Sequence, residues 1–300
     1  MPRVLVIGGL TLDVIKTPKM EQRRVGGGAY YCSVTAARLG AEVELRTMIG
    51  PDMPQEYLQE VESEGISVIA QRAPSSIGFV NTLLGDGRRL QQVMSLGGHP
   101  ISVDADTARE FDVVQITPVL GEVDQELAGA DMPKTTAIEA QGFVRERRVG
   151  DLVMKRWEDR DRWTRGKLLL HLSDEELLYV CERSLSEVLT DAGPAVIALT
   201  RSSEGSFVLT GGSVMFVPSL DVDVVDDVGC GDVYAMTMAL SLFDGKDPLS
   251  SAITATAAAT LNAEGRGPEK VRLGGDFRDR EAMAMRKFRE FGLSGRRGRR

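Results

Sequence analysis

The hydrophobic positions of this chain fall into short continuous runs that are separated by segments with helical spacing. Such runs are typical of strands buried on both faces of a parallel sheet. The intervening segments have Ala-rich or amphipathic patterns, which indicate helices. Strands are predicted at residues 4–7, 43–49, 112–117, 135–140, 168–172 and 195–199, and helices at 32–40, 54–64, 232–242, 247–263 and 281–290. The alternation predicts an α/β fold, a doubly wound and mainly parallel sheet with helices on both faces.

Two segments interrupt this alternation. Residues 16–25 are short and polar, and residues 77–93 have the pattern of a β-hairpin around Gly85-Asp86-Gly87. Asp-Gly between alternating segments favours a tight hairpin turn. We expect residues ~16–25 and ~75–94 to form a small β flap, or lid, over the ligand edge of the sheet; a plain edge hairpin is the alternative. Residues 1–290 would then be a single domain with this lid, and the basic residues 291–300 a disordered tail.

A glycine turn followed by a helix lies in residues 223–242, DVVDDVGCGDVYAMTMALSL. Glycines in the turn let the backbone approach a ligand closely, and the first helix amides lie at the positive end of the helix dipole. Gly229, Cys230 and Gly231 are therefore predicted to form an anion site. A carboxylate at such a site suits deprotonation of a hydroxyl, so Asp232 is predicted to be a general base beside a phosphoryl group in transfer. The alternative is that Asp232 is only an N-cap.

Other polar candidates follow predicted strands, at the edge where open α/β sheets bind ligands. Asp13 follows the first strand, and Gln141 and Arg145 follow the strand at 135–140. Gly27 and Gly28, just before a helix, permit close approach of backbone to a polyhydroxylated substrate; a flexible helix start is the alternative. An acceptor, an amide and a cation form the mixed set that a polyol needs, because each unpaired buried hydroxyl is costly.

Composition and charge narrow the class of ligand. Lys+Arg 36 against Asp+Glu 44 gives a net charge of −8, which argues against general nucleic-acid binding. A nucleotide ligand stays open, since helix amides and Mg²⁺ can hold phosphates locally. Three dispersed cysteines and two histidines indicate no zinc cluster. No apolar run reaches membrane-spanning length, so we expect a cytoplasmic protein with no membrane partner.

The order of these parts resembles the ribokinase, or pfkB carbohydrate kinase, family from about residue 3 to about residue 270. The family's C-terminal signature, an Asp, two residues and G-A-G-D before a helix, corresponds to residues 226–232. Its N-terminal signature, Gly-Gly and a small-residue helix ending in R-L-G, corresponds to residues 27–40. By this resemblance the fold is ribokinase-like, Asp232 is the catalytic base, residues 229–231 form the anion hole, and Asp13 binds substrate.

The resemblance also implies sites for ATP and Mg²⁺. The family's N-x-x-E element, which organises Mg²⁺ and phosphate through water, falls on Ser173 to Glu176. Its T-x-G-x-x-G nucleotide turn falls on Thr200 to Gly205, and the nucleotide base would lie near this turn and Asn262. This sequence departs from the family at three positions: Tyr31 stands near the usual Asn, Ser173 replaces the Asn of N-x-x-E, and Ser202 replaces the first Gly of the nucleotide turn.

The short flap and the Gln141…Arg145 pair resemble the branch that contains myo-inositol kinases and archaeal-type sugar kinases. The resemblance implies an ATP-dependent kinase that phosphorylates a hydroxyl of a small polyol or sugar, with Tyr31 near the substrate. Two alternatives stay open. One is a nucleoside kinase, in which Tyr30 and Tyr31 would stack on the base; the other is a catalytically silent sensor, suggested by Ser173 and Ser202. The partner is a small molecule, and the chain is expected to be a monomer or homodimer.

Overall fold

The computed structural model describes residues 1–17, 20–84, 89–182, 184–189 and 193–297. The strands are β1 (Arg3–Ile7), β2 (Thr11–Lys16), β3 (Glu21–Gly26), β4 (Glu42–Ile49), β5 (Ser67–Arg72), β6 (Ile77–Leu83), β7 (Arg89–Leu96), β8 (Val113–Ile116), β9 (Thr136–Glu139), β10 (Gly150–Asp151), β11 (Leu169–Ser173), β12 (Val196–Thr200), β13 (Gly205–Thr210) and β14 (Ser213–Pro218). The α-helices are α1 (Gly28–Arg38), α2 (Gln55–Ser63), α3 (Ala105–Ala108), α4 (Arg160–Thr164), α5 (Leu177–Val180), α6 (Cys230–Phe243), α7 (Pro248–Ala263) and α8 (Gly275–Arg297).

Nine strands form the central sheet in the order β14-β13-β12-β11-β9-β8-β1-β4-β5. The strands from β12 to β5 pair in parallel, and β13 and β14 add an antiparallel edge. Because the parallel strands point the same way, their carboxyl ends meet at one edge of the sheet, where ligands bind in such folds. The predicted doubly wound, mainly parallel sheet is confirmed. β5 was not predicted, because its half-buried residues at the sheet edge form no continuous apolar run.

Side chains on alternate strand positions build two separate cores on the two faces of the sheet. Val4 and Val6 belong to the core beneath the long helices α1, α6 and α7. Leu5 and Ile7 belong to the core on the other face, which includes side chains of α3, α4 and α5 and of the second sheet. Buried Trp157 in this core stacks on Phe143, at 4.3 Å between ring centroids. The long helices therefore lie on one face, and the other is covered by short helices and strands.

The lid is a second sheet of five strands in the order β10-β7-β6-β2-β3. It is larger than the predicted flap of residues 16–25 and 75–94, since β2 begins at Thr11, β7 ends at Leu96 and β10 joins from a distant part of the chain. β2 pairs in parallel with β6, and β10 pairs antiparallel with β7. Local sequence patterns do not reveal such long-range pairing. The predicted turn at residues 85–87 lies outside the described residues.

The C-terminal segment differs from its prediction. α8 runs from Gly275 to Arg297, so it is longer than the predicted helix at 281–290. The basic tail that was predicted to be disordered from residue 291 is helical as far as Arg297, and residues 298–300 lie outside the described part of the chain. Helix propensity does not explain the continuation, because residues 291–297 include two glycines. No helix in the described ranges combines the length and the apolar character needed to cross a bilayer.

Candidate active site

The turn before α6 has the geometry that its glycines permit. Gly229 is the N-cap of α6 and adopts a left-handed conformation with φ 78° and ψ 2°, which glycine adopts without strain. Asp232 follows in the first helical turn. The Cys230 amide donates to the Asp227 carbonyl at 3.3 Å and is therefore used within the turn. The amides of Gly229 and Gly231 remain the predicted donors to an anion.

Two buried side chains, those of Tyr31 and Asn262, contact this turn. The ring of Tyr31, 2% exposed, lies so close to Gly229 that a Cβ on residue 229 would overlap the ring carbons. Asn262 of α7 is fully buried, and its amide nitrogen donates to the Val228 carbonyl at 3.0 Å and to Cys230 Sγ at 3.2 Å. Both residues were predicted as ligand contacts. The structure shows them holding the glycine turn, and their direct contacts with ligand stay predictions.

The N-terminal glycine segment reaches the same place from α1. A Cβ built on Gly28 would lie 2.7 Å from Asp232 Oδ1 and would overlap Thr117 Oγ1. Gly27 has φ +87°, and a Cβ there would overlap the Gly9 carbonyl. Only glycine therefore allows the start of α1 to pass this closely. The two glycine motifs that were predicted from distant parts of the sequence meet at Asp232.

Asp13 lies on β2 of the lid, opposite Arg24 on β3. It is 6% exposed, and a Cβ on Gly26 would lie 2.5 Å from its Oδ2. Arg24 forms a partly buried ion pair with Asp226, which precedes the glycine turn. Asp13, which was predicted to bind the substrate, therefore lies in the lid sheet. The ion pair of Arg24 with Asp226 joins that sheet to the segment before the turn of residues 229–231.

Glu139, at the end of β9, faces Asp232 across the site. A carboxyl oxygen of Glu139 lies within 4.8 Å of one of Asp232, and Glu139 is 3% exposed. Its Oε1 accepts hydrogen bonds from Gln115 Nε2 at 2.9 Å and from Cys32 Sγ at 3.2 Å. Its Oε2 lies 3.5 Å from His171 Nδ1, and His171 Nε2 lies 3.2 Å from Thr200 Oγ1. A series of polar side chains, Glu139 and His171, thus connects Asp232 with Thr200 at the edge of the sheet.

Burial controls protonation in this cluster. Burial, together with the facing Glu139 carboxyl, raises the pKa of Asp232 well above its ordinary value. Burial likewise raises the pKa of Glu139. Burial lowers the pKa of His171, which favours the neutral imidazole. Two carboxyl groups in contact cannot both be ionised cheaply, so the pair holds one proton around neutral pH.

The thiol and carboxyl oxygens of Cys32, Glu139 and Asp232 lie within 4.8 Å of one another, close enough to surround one cation. The donor set does not suit a metal. Burial raises the pKa of the Cys32 thiol well above its ordinary value, whereas a metal ligand must be the thiolate. The Glu139 oxygen nearest to the thiol already accepts two hydrogen bonds. A shared proton fits this arrangement better than a metal ion does.

Glu176 is the better candidate for Mg²⁺. It is 7% exposed, and its Oε2 accepts a hydrogen bond from the Ser173 amide at 2.9 Å. Burial raises the pKa of Glu176, and the charge of Arg145 opposes this effect. Carboxylate oxygen is the ligand type that Mg²⁺ prefers, usually with several retained waters. One carboxylate fixed by a backbone amide fits the predicted role through water.

Arg145 is the cation of the site. Its guanidinium carbon lies 6.0 Å from the centroid of Phe79 on β6, and its charge partly offsets the rise that burial causes in the pKa of Asp232 and of Glu176. Gln141 is half-buried in the turn that follows β9. The predicted amide and cation thus flank the end of that strand, as the sequence implied.

The predicted donor turn begins at the end of β12. Thr200 and Ser173 are adjacent partners in the parallel pairing of β11 and β12. Ser202 has φ 46°, the single positive value among the described residues other than glycine, and it occupies the position where the family has Gly. Gly205 has φ +128°, and a Cβ there would overlap the Val217 carbonyl. Ser202 thus adopts a left-handed conformation, which glycine adopts without strain.

Glu139 and His171 were missed by the sequence reasoning, although each left a signal. Glu139 ends a buried, apolar strand with a charge, and His171 interrupts a run of leucines. A charged or ionisable residue inside a strand that is otherwise apolar requires a polar partner in the fold. The sequence does not identify these partners, because they come from distant elements. Glu139 meets Asp232 of α6, and His171 meets Glu139 of β9.

Comparisons with known proteins bear on the family and the fold. Residues 1–271 match the model of the pfkB family of carbohydrate kinases. The chain is 23% identical over 248 residues to a cytidine kinase of Thermococcus kodakarensis (77% of this chain, 85% of that protein) and 22% identical over 280 residues to a ribokinase of Bacillus subtilis (87% and 93%). A solved pyrophosphate-dependent kinase of the ribokinase family, complexed with a pyrophosphate analogue and myo-inositol, superimposes with a TM-score of 0.76 at 20% identity over 93% of this chain and 99% of that one. The ribokinase-like fold is confirmed.

Proposed function

The chain belongs to the pfkB family of carbohydrate kinases, phosphotransferases with hydroxyl acceptors, and we propose that it transfers the γ-phosphoryl group of ATP to a hydroxyl of a small polyol or sugar. One observation carries this proposal: the close approach of the Gly28 backbone to Asp232 Oδ1. It joins the segment proposed to bind the acceptor to the carboxylate proposed to deprotonate it. The turn of residues 229–231 lies beside both.

In this mechanism the acceptor hydroxyl lies between Asp13 of the lid and Asp232. Asp232 accepts the hydroxyl proton as the acceptor oxygen bonds to the γ-phosphorus, and the bond from that phosphorus to the bridging oxygen of ADP breaks. The Gly229 and Gly231 amides and the positive end of α6 stabilise negative charge on the transferring group. A positioned general base contributes about 10²–10⁴-fold to the rate.

The donor would lie along the carboxyl ends of β11 and β12. Thr200 and Ser173 are neighbours there, and Ser202 and Gly205 provide a tight turn against which a nucleotide can lie. Glu176 would hold Mg²⁺ through water, and the ion, when bound, neutralises charge on the phosphates. Pyrophosphate is the second candidate donor, since a structurally similar kinase is described as pyrophosphate-dependent.

A polyol acceptor is favoured over a nucleoside by the state of the two tyrosines. Tyr31 is buried against Gly229, and the Tyr30 hydroxyl donates to Glu60 at 2.8 Å. The Tyr31 ring is therefore not free to stack on a base in this conformation, and the Tyr30 hydroxyl is bonded to α2. Asp13, Gln141 and Arg145 provide the mixed polar set that hydroxyl groups require. A catalytically silent sensor is disfavoured, because a binder gains nothing from a carboxylate beside phosphate.

The test is a coupled assay of the purified protein with Mg-ATP or pyrophosphate against myo-inositol, common hexoses, ribose, adenosine and cytidine. We expect turnover of one polyol or sugar. The Asp232→Asn variant should lose about 10²–10⁴-fold in kcat and still melt cooperatively. Turnover of a nucleoside alone would replace the polyol assignment. An Asp232→Asn variant with full activity would remove this residue from the mechanism, and donor binding without turnover of any acceptor would establish the sensor.

A further inference from the structure

We propose that Glu139 is a positioning residue for phosphoryl transfer, which shares one proton with Asp232 and thereby fixes the orientation and the basicity of that carboxylate. This inference rests on the proposed role of Asp232 as the base. Glu139 is not among the residues that we propose to bind the substrate. It acts only through the carboxyl group that faces it.

The surroundings of Glu139 hold its carboxyl in one place. Gln115 from β8 and Cys32 from α1 both donate to Oε1, at 2.9 and 3.2 Å. His171 from β11 lies beside Oε2. Three elements therefore clamp a side chain that is 3% exposed, and Asp232 is the partner that joins it from the fourth. A side chain held this firmly fixes the rotamer of the group that it contacts.

The shared proton links this geometry to catalysis. With one proton between them, the pair carries a single negative charge: Asp232, whose pKa the facing Glu139 carboxylate raises, holds the proton, and Glu139 accepts the hydrogen bond. Asp232 releases this proton to solvent before it acts as the base, and the proton that it then accepts from the acceptor hydroxyl restores the singly charged pair. The ionisable groups that face this pair are Cys32 and Tyr31 from α1, His171 and Glu176 from β11 and the segment after it, Arg145 from the segment after β9, and Cys230 from α6 itself.

The proton sharing has a direct kinetic consequence. Asp232 can accept a proton only in the deprotonated form, so kcat falls as the pH drops through its raised pKa. Glu139→Gln keeps the shape and a hydrogen-bond donor but removes the second carboxyl. We expect this variant to retain most of the plateau kcat, with the acid limb of its pH profile moved down by roughly one pH unit or more. Glu139→Ala, which removes the hydrogen-bond partner of Asp232, should lower kcat about 10-fold or more while leaving the KM for the phosphoryl donor near that of the wild type.

A second readout does not depend on activity. A carboxyl pair with a raised pKa keeps its proton in the folded chain at pH values where the unfolded chain has released it. Stability contributed by the pair is therefore largest at low pH and falls as the pH rises through that raised pKa. In Glu139→Gln this fall should shrink, and urea unfolding at a series of pH values measures it. Glu122→Gln, another buried carboxylate changed to its amide, is the matched control, with the acid limb of kcat in its wild-type position.

The outcomes separate the positioning role of Glu139 from the proposed kinase function. An unmoved acid limb in Glu139→Gln, or a loss of kcat as large as in Glu139→Ala without any shift, would overturn the positioning role and leave Glu139 as packing. If the wild type phosphorylates no acceptor, the proposed function fails. The unfolding series still decides whether the pair shares a proton, and a pH dependence equal in wild type and Glu139→Gln would overturn that part as well.

Discussion

The ring of Tyr31 lies directly against Gly229, and no side chain fits between them. Gly229 also has φ +78°, so two independent constraints select glycine at this position. Tyr31 stands near the place where the family has an Asn. In this chain Tyr31 packs against the turn of residues 229–231, a role that the family motif did not suggest.

We expect Gly229→Ala to lower the free energy of unfolding by about 2 kcal/mol or more, from backbone strain and from overlap with the ring. The loss should shrink in a Tyr31→Ala background, because the overlap disappears and only the strain remains. Gly245→Ala is the matched control, since Gly245 has φ +85° and nothing lies within 4 Å of a Cβ there. Urea unfolding of the four variants measures the cycle, and equal losses in both backgrounds would contradict the contact.

Ser202→Gly should leave the protein at least as stable as the wild type. Relief of about 1 kcal/mol of left-handed strain offsets the 0.4–1 kcal/mol that glycine typically costs through the entropy of the unfolded chain. Ser203→Gly, at an exposed neighbour without a positive φ, should only lose stability. Melting temperatures of the two variants test this, and a larger loss at Ser202 would show that the serine side chain stabilises the turn.

Glu122 is a fully buried carboxylate that the sequence reasoning overlooked. It accepts backbone hydrogen bonds from Gly9 at 2.8 Å, from Val119 at 2.9 and 3.0 Å, and from Leu120 at 2.7 Å. Glu122→Ala leaves these amides unpaired, so we expect a loss of more than about 2 kcal/mol, against a smaller loss for Glu122→Gln. Urea midpoints with an unchanged m-value measure both. Equal losses would indicate that packing matters more than the hydrogen bonds.

Cys230 lies at the N-terminus of α6, a place that can lower the pKa of a thiol. Burial instead raises the pKa of Cys230 to about 12, so its thiol stays protonated at pH 8 and is a poor nucleophile. We expect iodoacetamide at pH 8 to leave Cys230 of the native protein unmodified, as read by mass spectrometry. The urea-unfolded protein, in which every thiol is accessible, is the positive control. Rapid labelling in the native state would contradict the burial.

The sequence by itself determined the strands of the parallel sheet except β5, the long helices α6 and α7, and the glycine turns at both ends of the site. These features follow from hydrophobic runs, from helical spacing and from the backbone freedom of glycine, and all of these act over a few residues. The order of the motifs was also enough to indicate the family. Ser202 could even be recognised as a departure before its strained conformation was seen.

The tertiary structure alone decided which side chains meet. Glu139 and Asp232 face each other because β9 and α6 are brought together across the sheet edge, and neither sequence segment specifies the other. The full lid likewise depends on pairing of β10 with β7, and the support that Asn262 gives to Val228 depends on the packing of α7 beside α6. Local patterns encode elements, whereas burial of polar groups with their partners is settled only when distant elements pack together.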